Sequence, residues 1–101
     1  MKQGDQHLSN ISIPEILERK YALYVILCVK EMPGSTKTDI ITLDPGNERT
    51  KFMRIKELIE AGIIKVDDVK RQHNAMKLYL TDKGQVIANY LEKMVRAYNE
   101  E

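Results

Sequence analysis

The sequence has little of what proteins use for covalent cross-linking, for crossing a membrane or for carrying a large net charge. It contains one cysteine, and its 16 basic residues nearly balance its 15 acidic residues. A single cysteine cannot form a disulfide within the chain, and Cys28 stands in the apolar run 21–29, which favours a small buried hydrophobe. That run is about half the ~20 residues needed to span a bilayer. We therefore expect neither a disulfide scaffold nor a membrane anchor, and a cytoplasmic location.

What remains is the composition of one folded domain. The chain has 101 residues, of which 43% are hydrophobic and 31% are charged. The net charge is only +1, so any attraction to nucleic acid must come from where the charges lie. The polar residues 1–10 predict a flexible N-terminal tail, and residues 11–99 predict a single domain.

The first half of the chain predicts three helices. The first begins near Ser12 or Pro14 and continues to Val29, and its apolar stretch 21–29 predicts a centrally buried helix. A capping-box pattern, Thr36-x-x-Asp39, starts a short second helix. The turn sequence "DPGN" at 44–47 precedes the third.

The third helix is predicted over 47–61. Its apolar positions follow helical spacing, so we expect them to face the core: Phe52, Ile55, Leu58 and Ile59. Residues 47–56 hold four cations against Glu48, a net of +3, on the remaining faces. Gly62 is the expected C-terminal cap.

The second half predicts a β-hairpin and a last helix. The apolar residues within 63–69 suggest one strand, and Met76, Leu78 and Leu80 alternate with Lys77 and Tyr79 in a clearer second one. The polar segment 70–74 lies between them. Thr81 is the expected N-cap of a long helix over 82–99. Helices outnumber strands in this order.

Two strings carry a family resemblance, "RIKELIEAGII" (54–64) and "LYLTDKGQVI" (78–87). With the order of elements over 13–98, the chain resembles the winged helix-turn-helix transcriptional regulators of prokaryotes, in the style of the MarR-like, PadR-like and ArsR-like families. The resemblance implies a mainly α fold with a three-helix core, a two- or three-stranded β-hairpin wing and a long C-terminal helix. It also implies that helix 47–61 enters the major groove of double-stranded DNA and that the wing, 65–77, lies on the minor groove or the backbone. The turn 43–50 is longer than the usual four-residue turn of these proteins.

The predicted DNA-binding residues combine this resemblance with the charge pattern. Arg49 and Arg54 have the two-pronged donor geometry that suits guanine. Basic residues at the wing tip would add affinity that falls as salt rises, although Asp67 and Asp68 oppose this. The full predicted set is Lys37, Asn47, Arg49, Thr50, Lys51, Arg54, Lys70, Arg71 and His73.

A homodimer is also predicted, because regulators of this type usually bind two half-sites related by two-fold symmetry. The last helix carries a wider apolar stripe than docking on a small core requires. The predicted interface is Tyr21, Tyr24, Val25, Ile87, Leu91, Met94, Val95 and Tyr98. The alternative is that this stripe wraps the first helix within one subunit.

Other functions have less support in the sequence. No glycine-rich phosphate loop and no nucleophile beside a histidine is present, so neither an enzyme nor a cofactor is predicted. Asp67, Asp68 and His73 do not make a convincing metal site. Tyrosines 21, 24 and 90 are more typical of a core than of an effector pocket. A protein-interaction module remains the main alternative, and single-stranded nucleic-acid binding ranks last because few aromatics are expected to be exposed.

Overall fold

The computed structural model describes residues 12–68 and 76–100. The elements in chain order are α1 (Glu15–Glu18), α2 (Ala22–Glu31), α3 (Lys37–Leu43), α4 (Glu48–Glu60), β1 (Ile64–Asp68), β2 (Met76–Leu80) and α5 (Asp82–Asn99). A mainly helical body, one antiparallel hairpin and a long C-terminal helix confirm the predicted fold class. No helix in these two described ranges is long and apolar enough to cross a membrane.

The core is built around α2, as its apolar sequence predicts. Val25, Ile26 and Val29 are fully buried, and α2 contacts α3, α4, α5 and β2. Cys28 is also buried in this helix, in the small-hydrophobe role expected of it. Burial raises the pKa of its thiol, which keeps it protonated.

The first helix is not continuous, and the predicted single helix from Ser12 or Pro14 to Val29 is wrong. The chain is extended at Arg19, and Tyr21 has the left-handed value φ +70°. The break frees the carbonyl of Lys20, which accepts a hydrogen bond from Arg54 Nε of α4 at 2.8 Å. A left-handed residue other than glycine costs about 1–2 kcal/mol, so tertiary contacts override the local helical preference here.

The hairpin has a third, single-residue partner. Ile64 pairs with Leu80 and Val66 with Leu78 in the antiparallel β1–β2 ladder. On its other side β2 bridges the segment before α3, because Gly34 N donates to Leu78 O and Leu78 N donates to Ser35 O, both at 2.8 Å. The hairpin is thereby attached to the start of α3.

The junction between α4 and α5 is closely packed. Gly62 ends α4 with φ +78°, as expected of the C-terminal cap. Thr81 caps α5 by accepting a hydrogen bond from Gly84 N at 2.9 Å, while its hydroxyl lies 2.7 Å from Gly62 O. A Cβ atom on Gly84 would lie 2.1 Å from the carbonyl oxygen of Ile63. Glycine is needed here because the backbones of two elements meet.

This contact yields a stability prediction. In an open helix Gly→Ala stabilises by about 1 kcal/mol, but overpacking costs about 1–3 kcal/mol. We expect Gly84→Ala to lower the free energy of unfolding in urea titrations, because the new methyl group collides with backbone. Lys83→Ala, on the exposed side of the same turn, should change it little. A Gly84→Ala protein as stable as the parent would contradict the close approach.

Candidate nucleic-acid interface

Helices α3 and α4 and the turn between them form the helix-turn-helix. The start of α3 is fixed by the predicted capping box, in which Asp39 N donates to Thr36 Oγ1 at 3.1 Å and Thr36 N donates to the Asp39 carboxylate at 3.0 Å. Helix α4 begins after Asn47, which has φ +55°, within one residue of the predicted boundary. The order and limits of the pair therefore follow local sequence signals.

The rotation of α4 about its own axis, called its roll below, decides which residues face the core, and it differs from the prediction. Its buried residues are Lys51, Arg54, Ile55 and Leu58, which lie at positions i, i+3, i+4 and i+7 of one face. Phe52, expected in the core, is 50% exposed, and Met53 beside it is 47% exposed. The prediction that Phe52 faces inward and that Lys51 and Arg54 face outward is wrong.

Lys51 is held in a cage of aromatic rings. It is 1% exposed, and its Nζ lies 5.3 Å from the ring centroid of Tyr21 and 5.5 Å from that of Tyr24. The ammonium also donates to the backbone carbonyl of Asp44, and the Asp44 carboxylate lies 4.0 Å away. Cation–π contact and these oxygens satisfy the charge, so a lysine can occupy a core position.

Tyr24 stays neutral beside this lysine. Burial, followed by the neighbouring Cys28 thiol, raises the pKa of Tyr24 to about 12. Its hydroxyl oxygen is shielded from solvent and satisfies no conventional hydrogen-bond geometry with the described residues. The ammonium of Lys51 therefore faces a phenol ring and not a phenolate.

Arg54 ties α4 to the break between α1 and α2. Besides the bond from Nε to Lys20 O, its Nη1 donates to Glu57 Oε1 at 2.6 Å. The same Glu57 carboxylate lies 3.9 Å from Arg19. A guanidinium with two such acceptors within the chain positions α4 against the break between α1 and α2.

Asn47 makes a second hydrogen bond to the break between α1 and α2. Its Nδ2 donates to Tyr21 Oη at 2.6 Å, although the residue itself is exposed. Both partners have left-handed backbones. This hydrogen bond links the turn before α4 to the turn before α2.

The outward face of α4 is formed by Arg49, Phe52, Met53 and Lys56, all exposed and again spaced i, i+3, i+4 and i+7. We call these four residues the outward stripe. Lys37 of α3 lies over the Phe52 ring, with Nζ 5.3 Å from its centroid. Thr50 is half-buried at the edge of this face.

A shallow cavity of about 420 Å³ accompanies the outward stripe. Its lining residues are Thr38, Ile41, Thr42, Glu48, Arg49 and Phe52. It therefore lies between α3 and α4, on the side of the pair that faces away from the core.

The charge on this face is smaller than the sequence suggests. With Lys51 and Arg54 buried, residues 47–56 expose two cations, Arg49 and Lys56, against Glu48, a net of +1. Lys37, predicted to bind DNA, adds a further cation from α3. Sequence reasoning assigned Phe52 to the core because it counted lysine and arginine as surface residues whatever their stems can bury. It left Met53 and Lys56 out of the predicted binding set.

The predicted wing residues Lys70, Arg71 and His73 lie outside the described residues. The described base of the hairpin places Asp67 directly opposite Lys77. No group of three or more potential metal ligands occurs among residues 12–68 and 76–100.

The predicted dimer residues divide into three groups: Tyr21, Tyr24 and Ile87 are partly buried, Met94, Val95 and Tyr98 are exposed, and the other two are buried. Val25 is 0% exposed and Leu91 is buried within this chain's own core, so neither is available at a surface. For these two residues the prediction fails because the chain's own helices cover them. The exposed apolar residues of α5 are Val86, Tyr90, Met94, Val95 and Tyr98.

A second cavity lies beside α2. It has a volume of about 390 Å³ and is lined by Tyr24, Leu27, Cys28, Glu31, Met32 and Leu43. Tyr21 and Tyr24 pack edge to face with centroids 6.1 Å apart. Tyr90 does not join them, because it lies exposed on α5.

The buried position of Arg54 yields a second stability prediction. Arg54→Met keeps the aliphatic stem but removes the bonds to Lys20 O and Glu57, so we expect the free energy of unfolding to fall by about 2 kcal/mol. Lys56→Met, an exposed cation on the same helix, should have little effect. Urea unfolding of both variants measures this, and equal stability of the two would contradict the positioning role.

Comparisons with known proteins agree on the fold. No family model and no curated protein matches the chain. A solved structure described as a possible HxlR family transcriptional factor from Thermoplasma volcanium GSS1 matches with TM-score 0.73 and 23% identity, over 88% of this chain and 80% of that one. The transcriptional regulator SlyA matches with TM-score 0.73 and 23% identity, over 96% of this chain and 68% of that one. The chain therefore has the winged helix-turn-helix fold that the sequence predicts.

Proposed function

We propose that this protein is a transcriptional regulator that binds double-stranded DNA sequence-specifically as a homodimer. Helix α4 lies in the major groove, and the hairpin lies on the minor groove or the backbone. The observation that carries the proposal is the outward stripe of α4, with Lys37 beside it, on a helix-turn-helix. Both structural neighbours are described as transcriptional regulators or factors, which supports the same function.

The contact set differs from the one expected from sequence. Arg49, at the start of α4, is the residue that reaches a base edge, because the N-terminal part of a recognition helix lies nearest the bases. Lys37 and Lys56 contact phosphates on either side. Lys51 and Arg54 act indirectly, by fixing the roll that presents Arg49. Lys70, Arg71 and His73 of the wing remain part of the proposal on their charge alone.

A test of DNA binding follows from the exposure of Arg49. Selection from a random duplex pool should enrich a palindromic site. Arg49→Ala should weaken binding to that site by about 10- to 100-fold, the loss expected for one two-pronged arginine–guanine contact. Arg96→Ala, an exposed arginine on α5, removes the same charge and should bind like the parent. Failure of the parent to enrich any sequence at low salt would contradict the proposal.

The homodimer is proposed to form through Met94, Val95 and Tyr98, the exposed apolar residues at the C-terminal end of α5. The core-facing positions Gly84, Ala88 and Leu91 continue at the same helical spacing to Val95 and Tyr98, which extend past the body. Tyr98 is 88% exposed. A two-fold axis near this end would cover the aromatic and aliphatic side chains with their own copies.

This pairing yields a prediction about mass. Sedimentation equilibrium at micromolar concentration should give a dimer for the parent and a monomer for Met94→Glu/Tyr98→Glu, because the charges would be buried in an apolar contact. Asn89→Glu, on the opposite side of α5, adds a charge outside the proposed interface and should stay dimeric. A monomeric parent would rule out the homodimer.

A protein-interaction module is the second candidate. It is favoured by the two half-exposed apolar side chains on α4 and by the modest local charge. Under that function, reversing the charges of Arg49 and Lys56 would leave function unchanged, and no duplex would be enriched.

A further inference from the structure

We propose that Phe52 and Met53 recognise thymine methyl groups, so that the preferred DNA site has thymines in the base pairs facing the middle of α4. This inference rests on the proposed function and names the base chemistry that the recognition helix selects. Both residues are on the outward stripe, between Arg49 and Lys56.

The roll of α4 places these side chains in an unusual position. A surface helix normally buries its large apolar residues and exposes its cations. Here Lys51 and Arg54 are buried, whereas Phe52 and Met53 are half exposed. Several specific contacts hold this arrangement: the tyrosine cage around Lys51, the bond from Arg54 to Lys20 O and the bond from Asn47 to Tyr21. An apolar pair in the middle of a DNA-facing helix is therefore a fixed feature of the fold.

The major groove offers one apolar group to such a pair. The C5-methyl group of thymine is the distinguishing apolar feature of base edges there, and phenyl and aliphatic side chains contact it. Seven residues of helix rise span about 10 Å, which matches about three base-pair steps. Arg49 at one end of the outward stripe then lies over a different base pair from Phe52 and Met53.

The charges around Phe52 and Met53 favour DNA over a protein as the binding partner of these two side chains. Lys37 lies over the Phe52 ring, and Arg49 and Lys56 lie one helical turn before and after it. Cations on three sides suit a polyanion whose groove lies between two phosphate backbones. Two half-exposed side chains are also a small apolar area beside the roughly 800 Å² per partner of a standard protein interface.

The test compares duplexes that differ only in methyl groups. The palindrome enriched by the parent protein is synthesised with thymine, and again with deoxyuridine at the thymines facing the middle of α4. Deoxyuridine keeps every hydrogen-bonding group and lacks the methyl. We expect the parent to bind the deoxyuridine duplex about fourfold more weakly for each methyl lost, the factor that corresponds to ~0.8 kcal/mol per buried methyl-sized group.

Alanine variants test whether Phe52 and Met53 cause the preference for thymine over deoxyuridine. Phe52→Ala and Met53→Ala should each bind thymine and deoxyuridine duplexes more nearly alike than the parent does. Ile13→Ala, which truncates an exposed apolar residue before α1, should discriminate as the parent does. The duplex comparison with the parent alone needs no variant to fold.

Three results would overturn the inference. Equal binding of the two duplexes by the parent would remove thymine recognition and leave DNA binding intact. Unchanged discrimination by both folded variants would place the methyl contacts elsewhere. No enriched duplex at all, with Phe52→Ala abolishing capture of a purified protein partner, would refute the proposed function and assign the apolar pair to protein binding.

Discussion

The rotation of α4 about its own axis depends on two cations that the fold buries. Lys51 points its ammonium at two tyrosine rings and a backbone carbonyl, and Arg54 donates to the carbonyl that the α1–α2 break sets free. Removing either partner would leave a buried charge or carbonyl without compensation, which is costly. A rotation of α4 by two residues, about 200°, would exchange its inner and outer faces. The outward stripe of α4, the proposed DNA-contacting surface, is thus fixed by contacts on the opposite side of the helix.

Much of the fold was predictable because its signals are local. The capping box at Thr36 and Asp39, the C-cap Gly62 and the N-cap Thr81 each act within a few residues of themselves, and all three appear in the structure. The apolar run 21–29 correctly predicted a central helix. The order of elements followed, and the resemblance to winged helix-turn-helix regulators supplied the architecture.

The candidate site was less predictable, because its determinants are distant in sequence. Nothing near Lys51 indicates that Tyr21 and Tyr24 will surround it, and nothing near Tyr21 indicates that Arg54 needs the carbonyl of Lys20. Hydrophobic periodicity assigned Phe52 to the core because a ring buries more apolar area than a lysine stem. The cation–π contacts and hydrogen bonds of Lys51 and Arg54 outweigh that difference in buried apolar area.

The junction where Thr81 meets Gly62 and Ile63 has a consequence for the proposed dimer. Helix α4, proposed to read DNA, ends at the same peptide groups from which α5, the proposed pairing helix, begins, and the close approach of Gly84 restricts movement between them. In a dimer of such subunits, each α4 would keep a fixed position relative to its own α5. The distance between the two reading helices is then set by the geometry of α5, and it must suit half-sites about 34–36 Å apart on one face of the duplex. Operators with altered spacing would be rejected by the shape of the protein, even when every base contact is present.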